Sequence, residues 1–83
     1  NLPNGEAMPN VLNEFAGDGV TKTFNFSMTG GYLSRDYVYF FTRPNGDLLN
    51  YTPYNDDDVT WLTDFSVRTA NPIPVGTTFV ILR

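Results

Sequence analysis

From Val11 to the end of the chain, short runs of alternating or continuously apolar residues are separated by turn signals. VLNEFAG forms a first short run, and Gly17-Asp18-Gly19 follows as a turn, since glycine accepts positive φ without steric cost. TKTFNFS alternates polar and apolar positions, which places Phe24 and Phe26 on one face of a strand. DYVYFFT is the strongest strand signal, being almost wholly β-branched or aromatic. Pro44-Asn45-Gly46-Asp47 reads as a hairpin turn, and the returning run LLNYTPY carries Pro53, which confines its end to a sheet edge. VTWLTDFSVRTA supplies one or two more strands, NPIPVG a proline-rich connection, and TTFVILR a closing strand. No window carries a clean helical period, and SMTGGYLSR holds at most one irregular turn. Antiparallel strands are therefore predicted over roughly 11–15, 20–27, 36–43, 48–53, 58–63, 65–69 and 77–83, within a few residues.

This spacing predicts an all-β fold, a small antiparallel β-sandwich or open barrel of about six to seven short strands. Phe24, Phe26, Val38, Phe40, Leu62, Val67, Phe79 and Ile81 are the expected core. Strand neighbours point to opposite faces, so Tyr37, Tyr39 and Phe41 cannot share the core side of Val38 and Phe40. Phe79 and Ile81 likewise oppose Val80 and Leu82. A strand apolar on both faces is buried on both. The second face is expected to meet a second sheet, a sister chain or another protein, and Tyr32, Tyr37, Tyr39 and Phe41 are the candidate partner-interface residues.

Composition narrows the function. The chain has 83 residues, a single domain, with residues 1–10 (NLPNGEAMPN) as an extended arm or linker and 11–83 as the β domain. A chain this short buries only about 60% of its unfolded surface. It has no cysteine to staple it, so its seven Phe, five Tyr and one Trp must carry the packing. Net charge is −4, and the five basic residues form no stripe, which argues against nucleic acid and against a polybasic membrane contact. No apolar run approaches a membrane helix, and no membrane insertion is expected. A chain that starts at Asn1 rather than Met and stops at Arg83 straight after an apolar run is expected to be a piece of a longer protein.

Without His or Cys the usual nucleophile–base pairs cannot be built, and nothing in the spacing of Lys22 with Ser27, Ser34 or Ser66 supports a Ser–Lys pair. The expectation is a non-enzyme with no catalytic residue and no cofactor. Asn55-Asp56-Asp57-Asp58 is the densest acidic run, but it lacks the alternating ligands, the turn glycine and the distant Glu of a calcium loop, so a solvated loop and no metal are expected. Trp61 with Tyr51 and Tyr54 could stack a sugar; the strand alternation around Trp61 favours a core or interface position instead.

Three segments in order carry a resemblance: GDGVTKTFNF (17–26), YLSRDYV (32–38) and VTWLTDFSVRTANPIPVGTTFVILR (59–83). In this order and spacing, over about 70 of the 83 residues, the chain resembles the N-terminal domain of tail fibres and tailspikes from short-tailed bacteriophages. That resemblance implies a virion structural domain that anchors a homotrimeric fibre or spike to the tail tube or an adaptor, in support of host-cell adsorption. Sister copies and tail proteins are the implied partners, and the phage tail the implied location. The longer acidic stretch Asp56 to Asp58 departs from the family pattern. The alternative is a small carbohydrate-binding module of a surface protein or depolymerase, which would need its aromatics exposed in a row. Calorimetry with millimolar Ca²⁺ is expected to give no saturable heat. A heat abolished by changing Asp56, Asp57 and Asp58 to Asn would instead assign a metal site to the acidic run.

Overall fold

The computed structural model describes residues 11–26, 35 and 38–82. Seven strands follow one another: β1 (Val11–Ala16), β2 (Thr23–Asn25), β3 (Tyr39–Pro44), β4 (Thr52–Pro53), β5 (Val59–Thr63), β6 (Ser66–Thr69) and β7 (Thr77–Leu82). All pairings are antiparallel. They build a four-stranded sheet in the order β1-β7-β3-β4 and a three-stranded sheet in the order β2-β6-β5. The all-β, two-sheet architecture is thus the one expected from the spacing of turns. A 3-10 turn spans Asp56–Asp58.

The core lies between the sheets. Phe79 and Ile81 of β7, Phe40 of β3 and Val38 just before it pack against Phe24, Phe26 and Val67 from the other layer. Phe79 stands at the centre, fully buried. Its ring lies 5.0 Å from Phe24, 5.8 Å from Phe40 and 5.4 Å from Tyr54. Phe15–Phe24 at 5.1 Å and Phe40–Trp61 at 5.9 Å tie the two layers together again on either side. Ile73, in the β6–β7 connection, closes one end of this core.

The four-stranded sheet is also buried on its outer side. Phe41, Val80 and Leu82 form a second cluster there, with Tyr51 packed edge-on against Phe41 at 6.1 Å. Register places these residues together: Phe41 faces Val80, and Tyr39 faces Leu82. The expectation that β3 and β7 bury both faces is met for Phe41, Val80 and Leu82.

Leu62 corrects the expected core, being 49% exposed. Trp61 and Val59 turn inward against the main cluster, so their strand neighbour points out. The three-stranded sheet has a covered inner face only, and Leu62 falls on the other.

Two strands are shorter than the hydrophobic pattern predicts, for the same reason. The Asp18 carboxylate accepts hydrogen bonds from the Val20 and Thr21 amides at 2.9 and 2.7 Å, which takes both donors out of any ladder and delays β2 to Thr23. The Asp47 carboxylate accepts from the Leu49 amide at 3.0 Å and from the Asn50 side chain, so the returning strand is reduced to two residues. Pro53 sits on an edge strand, as a residue without N–H requires. The Asn-Gly turn is closed by the Asp47 amide donating to the Pro44 carbonyl, with only Gly46 at positive φ, +81°. This is a type II turn opening a longer loop, rather than the two-residue hairpin of the primed kind.

Replacing Phe79 by Ala is expected to cost about 3–5 kcal/mol, enough to unfold much of a domain with this little core. Replacing Leu62 by Ala should stay within about 0.5 kcal/mol. Urea titrations of the two variants beside the parent chain check both values.

Candidate functional site

Three surfaces of the domain could hold a partner. The first is the face of β3 singled out in the sequence. Among the four candidates, Phe41 is buried within the single chain, while Tyr39 is 47% exposed. Tyr32 and Tyr37 lie outside the described residues. Tyr39 is therefore half-exposed at the start of β3, beside a cluster that is already packed. Further along the same face, Arg43 is nearly buried and pairs with Glu14 at 3.3 Å across β7. Its Nε has no hydrogen-bond partner among the described residues.

The second is a cleft of about 420 Å³ at the margin between the sheets, lined by Arg35, Val38, Tyr39, Asp56 and Trp61 among others. The Arg35 guanidinium sits 4.9 Å from the centre of the Trp61 ring and pairs with Asp64 at 2.8 Å. Arg35 and Asp64 are both open to solvent, and a pair of that kind contributes about 0–1 kcal/mol. Trp61 itself is half-buried, edge-on to Phe26 at 5.7 Å. Tyr54 is turned into the same core, and burial together with the Asp58 carboxylate pushes its phenol above the ordinary value. Tyr51 packs on the opposite side of the four-stranded sheet. The three aromatics that could have formed a sugar platform are thus divided between two clusters.

The acidic run folds as the 3-10 turn. Asn55 caps it, its side-chain oxygen accepting from the Asp57 amide at 3.0 Å. All three Asp residues are exposed. No cluster of three metal-ligating side chains occurs among the described residues.

The third surface was not apparent in the sequence. Register sets the end of β1 (Ala16 opposite Thr78) level with the end of β3 (Pro44 opposite Thr77). The loops 17–22, 45–51 and 70–76 therefore leave one end of the four-stranded sheet together. They are bonded to each other: the Gly17 amide donates to the Thr77 carbonyl at 2.8 Å, Gly19 to Ile73 at 2.9 Å, and Asn45 to Gly76 at 2.9 Å. The Thr78 hydroxyl donates to the Asn45 side-chain oxygen at 2.6 Å. Gly17 packs so closely that a Cβ there would strike the carbonyls of Pro74 and Ile73. On this knitted base, Val20, Leu48, Leu49 and Val75 stand in solvent.

No family model, curated protein or solved structure shows a significant match to the chain. The functional reading accordingly rests on the residues themselves.

Three hydrogen bonds, the first from the Thr21 hydroxyl and the others from the Thr21 and Val20 amides, hold the Asp18 carboxyl at about 2, below its ordinary 3.8. A carboxylate whose folded-state value is depressed favours the folded state above its unfolded value, and that contribution is lost as pH falls through the folded one. Asp18→Asn, which keeps an acceptor oxygen, is expected to flatten the fall in Tm between pH 4 and 2 relative to the parent, a window set by the 3.8 and 2 of Asp18. Parallel slopes for the two proteins in that window would remove Asp18 from the acid sensitivity of the loop.

Proposed function

We propose that this chain is a virion structural domain that anchors a trimeric tail fibre or tailspike to the tail of a short-tailed bacteriophage, directly or through an adaptor. The role is one of attachment, not catalysis. The observation that carries the reading is the ordered run of three segments, 17–26, 32–38 and 59–83, that resembles such anchoring domains. The geometry is compatible with it. A sandwich whose four-stranded sheet is buried on both faces is a stiff platform, and Tyr39 extends its outer apolar row to the surface. Tyrosine suits such a contact, combining apolar area with a polar tip. Three linked copies that each dock weakly gain strongly in avidity, which is how a small surface can retain a long fibre.

The experiment replaces Tyr39 by Ser in the full-length fibre protein. The 83-residue domain should lose no more than about 1 kcal/mol, since Tyr39 is half exposed, while particles assembled with the variant carry few fibres. Full fibre occupancy together with a strongly destabilised domain would place Tyr39 in an internal core and withdraw it from the interface.

A further inference from the structure

Among the described residues, seven large apolar side chains are exposed, and four of them (Val20, Leu48, Leu49 and Val75) belong to the three loops at one end of the sandwich. Their exposures are 75, 63, 86 and 77%. Aliphatic tips on floppy loops would need no explanation. These loops are not built that way. Asp18 fixes the first through its bonds to Val20 and Thr21, Asp47 fixes the second through Leu49 and Asn50, and the third is tied by Ile73 in the core and by the Gly76 carbonyl. Ordering has thus been supplied by the fold, and a partner meeting these side chains would have little loop entropy left to remove.

We infer that this loop end is a docking surface for a protein partner that presents an apolar patch ringed by Lys or Arg. The inference names a surface and a partner chemistry for the anchoring role above, and it rests on that reading for the partner's being a tail protein. Charge decides the chemistry. Asp18 and Asp47 flank the four aliphatic tips, and Asp18 stays ionised down to about pH 2. Nearby Lys22 lines a different hollow, with Asp57 and Asp58 beside the three-stranded sheet. Arg43 is buried and paired with Glu14. The end therefore presents two carboxylates, Asp18 and Asp47, that form no ion pair among the described residues, around an apolar centre, which disfavours a second copy of itself and an anionic bilayer and attracts a basic rim.

Topology adds a second argument. β1 begins and β7 finishes at the opposite end of the sheet, where Val11 faces Leu82. β7 spans about 17 Å at the usual rise per residue. Val11 and Leu82, where the described strands begin and end, therefore lie away from the three loops. Tyr39, opposite Leu82, is also at the far end. The two surfaces are thus positioned for different contacts.

The test maps binding on the 83-residue chain by amide NMR, with two soluble amphipathic peptides as probes, one alternating Leu with Lys and one alternating Leu with Glu. The Lys peptide is expected to shift amides of 17–22, 45–51 and 70–76, and the double variant Leu49→Ser, Val75→Ser to weaken it at least tenfold with Tm unchanged. Shifts centred on Tyr39, Leu62 or Phe65, equal binding of the Glu peptide, or no binding of the Lys peptide would each overturn the inference. So would co-sedimentation of the parent chain, but not the variant, with vesicles of phosphatidylcholine and phosphatidylserine, which would make the end a membrane contact. Tails stripped of fibres provide the separate arm. If the Lys peptide maps to the loops but stripped tails fail to bind the chain, the virion reading falls and the docking surface stands.

Discussion

Phe79 is the residue on which both layers close. With no cysteine, no disulfide staples the 83 residues, and side-chain packing with backbone pairing carries most of the work of holding the two sheets. Rings do this efficiently, since each buries a large area from a single position and still has preferred angles to its neighbours. Phe79 stacks parallel on Phe40 within its own sheet and meets Phe24 of the other sheet at a tilt. That geometry fixes how far the sheets stand apart and which strands can neighbour β7. A strand carrying Phe79 and Ile81 on one face and Val80 and Leu82 on the other cannot lie at an edge. β7 is accordingly paired on both sides, by β1 and β3, and the edges of this sheet fall to β1 and to the two-residue β4.

The connections obey a second constraint, that exposed backbone donors still find acceptors. Asp18, Asp47 and Asn55 each capture amides two or three residues on. Thr63 does the same for the Phe65 amide at 3.1 Å in the β5–β6 turn and bonds the Ser66 hydroxyl at 2.8 Å. Short polar side chains thus stop strands and stiffen turns at once. The consequence for function is a loop end whose shape is set before any partner arrives.

Much of this was legible in the chain. The turn residues and the alternation between them located all seven strands, and Phe24, Phe26, Val38, Phe40, Val67, Phe79 and Ile81 are buried as expected. Periodicity states that two faces differ; it does not state which face a neighbouring layer covers. The inner layer covers the Trp61 side of β5, in keeping with the core or interface position expected of Trp61, and its neighbour Leu62 therefore faces out. The bulge between Trp61 and Thr63 further disturbs the alternation there. Side-chain capture of amides also escapes a hydrophobic pattern, although Asp-Gly-Val-Thr and Asp-Leu-Leu-Asn carry the right spacing for it. Contacts across the fold, such as Arg35 over Trp61 or Asn45 against Thr78, had no local signal at all. The loop end belongs to this last class, because only the strand register brings its three loops together.

The outer face of the four-stranded sheet shows why two-sided burial need not produce a featureless apolar slab. Arg43 shares that face with Phe41, in a strand where an apolar residue would pack more simply. A buried guanidinium is tolerated only with a partner, and Glu14 of β1 supplies one across the intervening β7. The pair constrains pairing in a way that Phe41, Val80 and Leu82 do not. Slipping β1 or β3 by one residue against β7 would carry one member of the ion pair to the opposite face, leaving a charge in the aromatic core. Apolar residues on both faces of β7 would tolerate such a slip far better, since either face is greasy. The ion pair therefore acts on register, and register is what aligns the ends of β1 and β3 and brings their loops to one place.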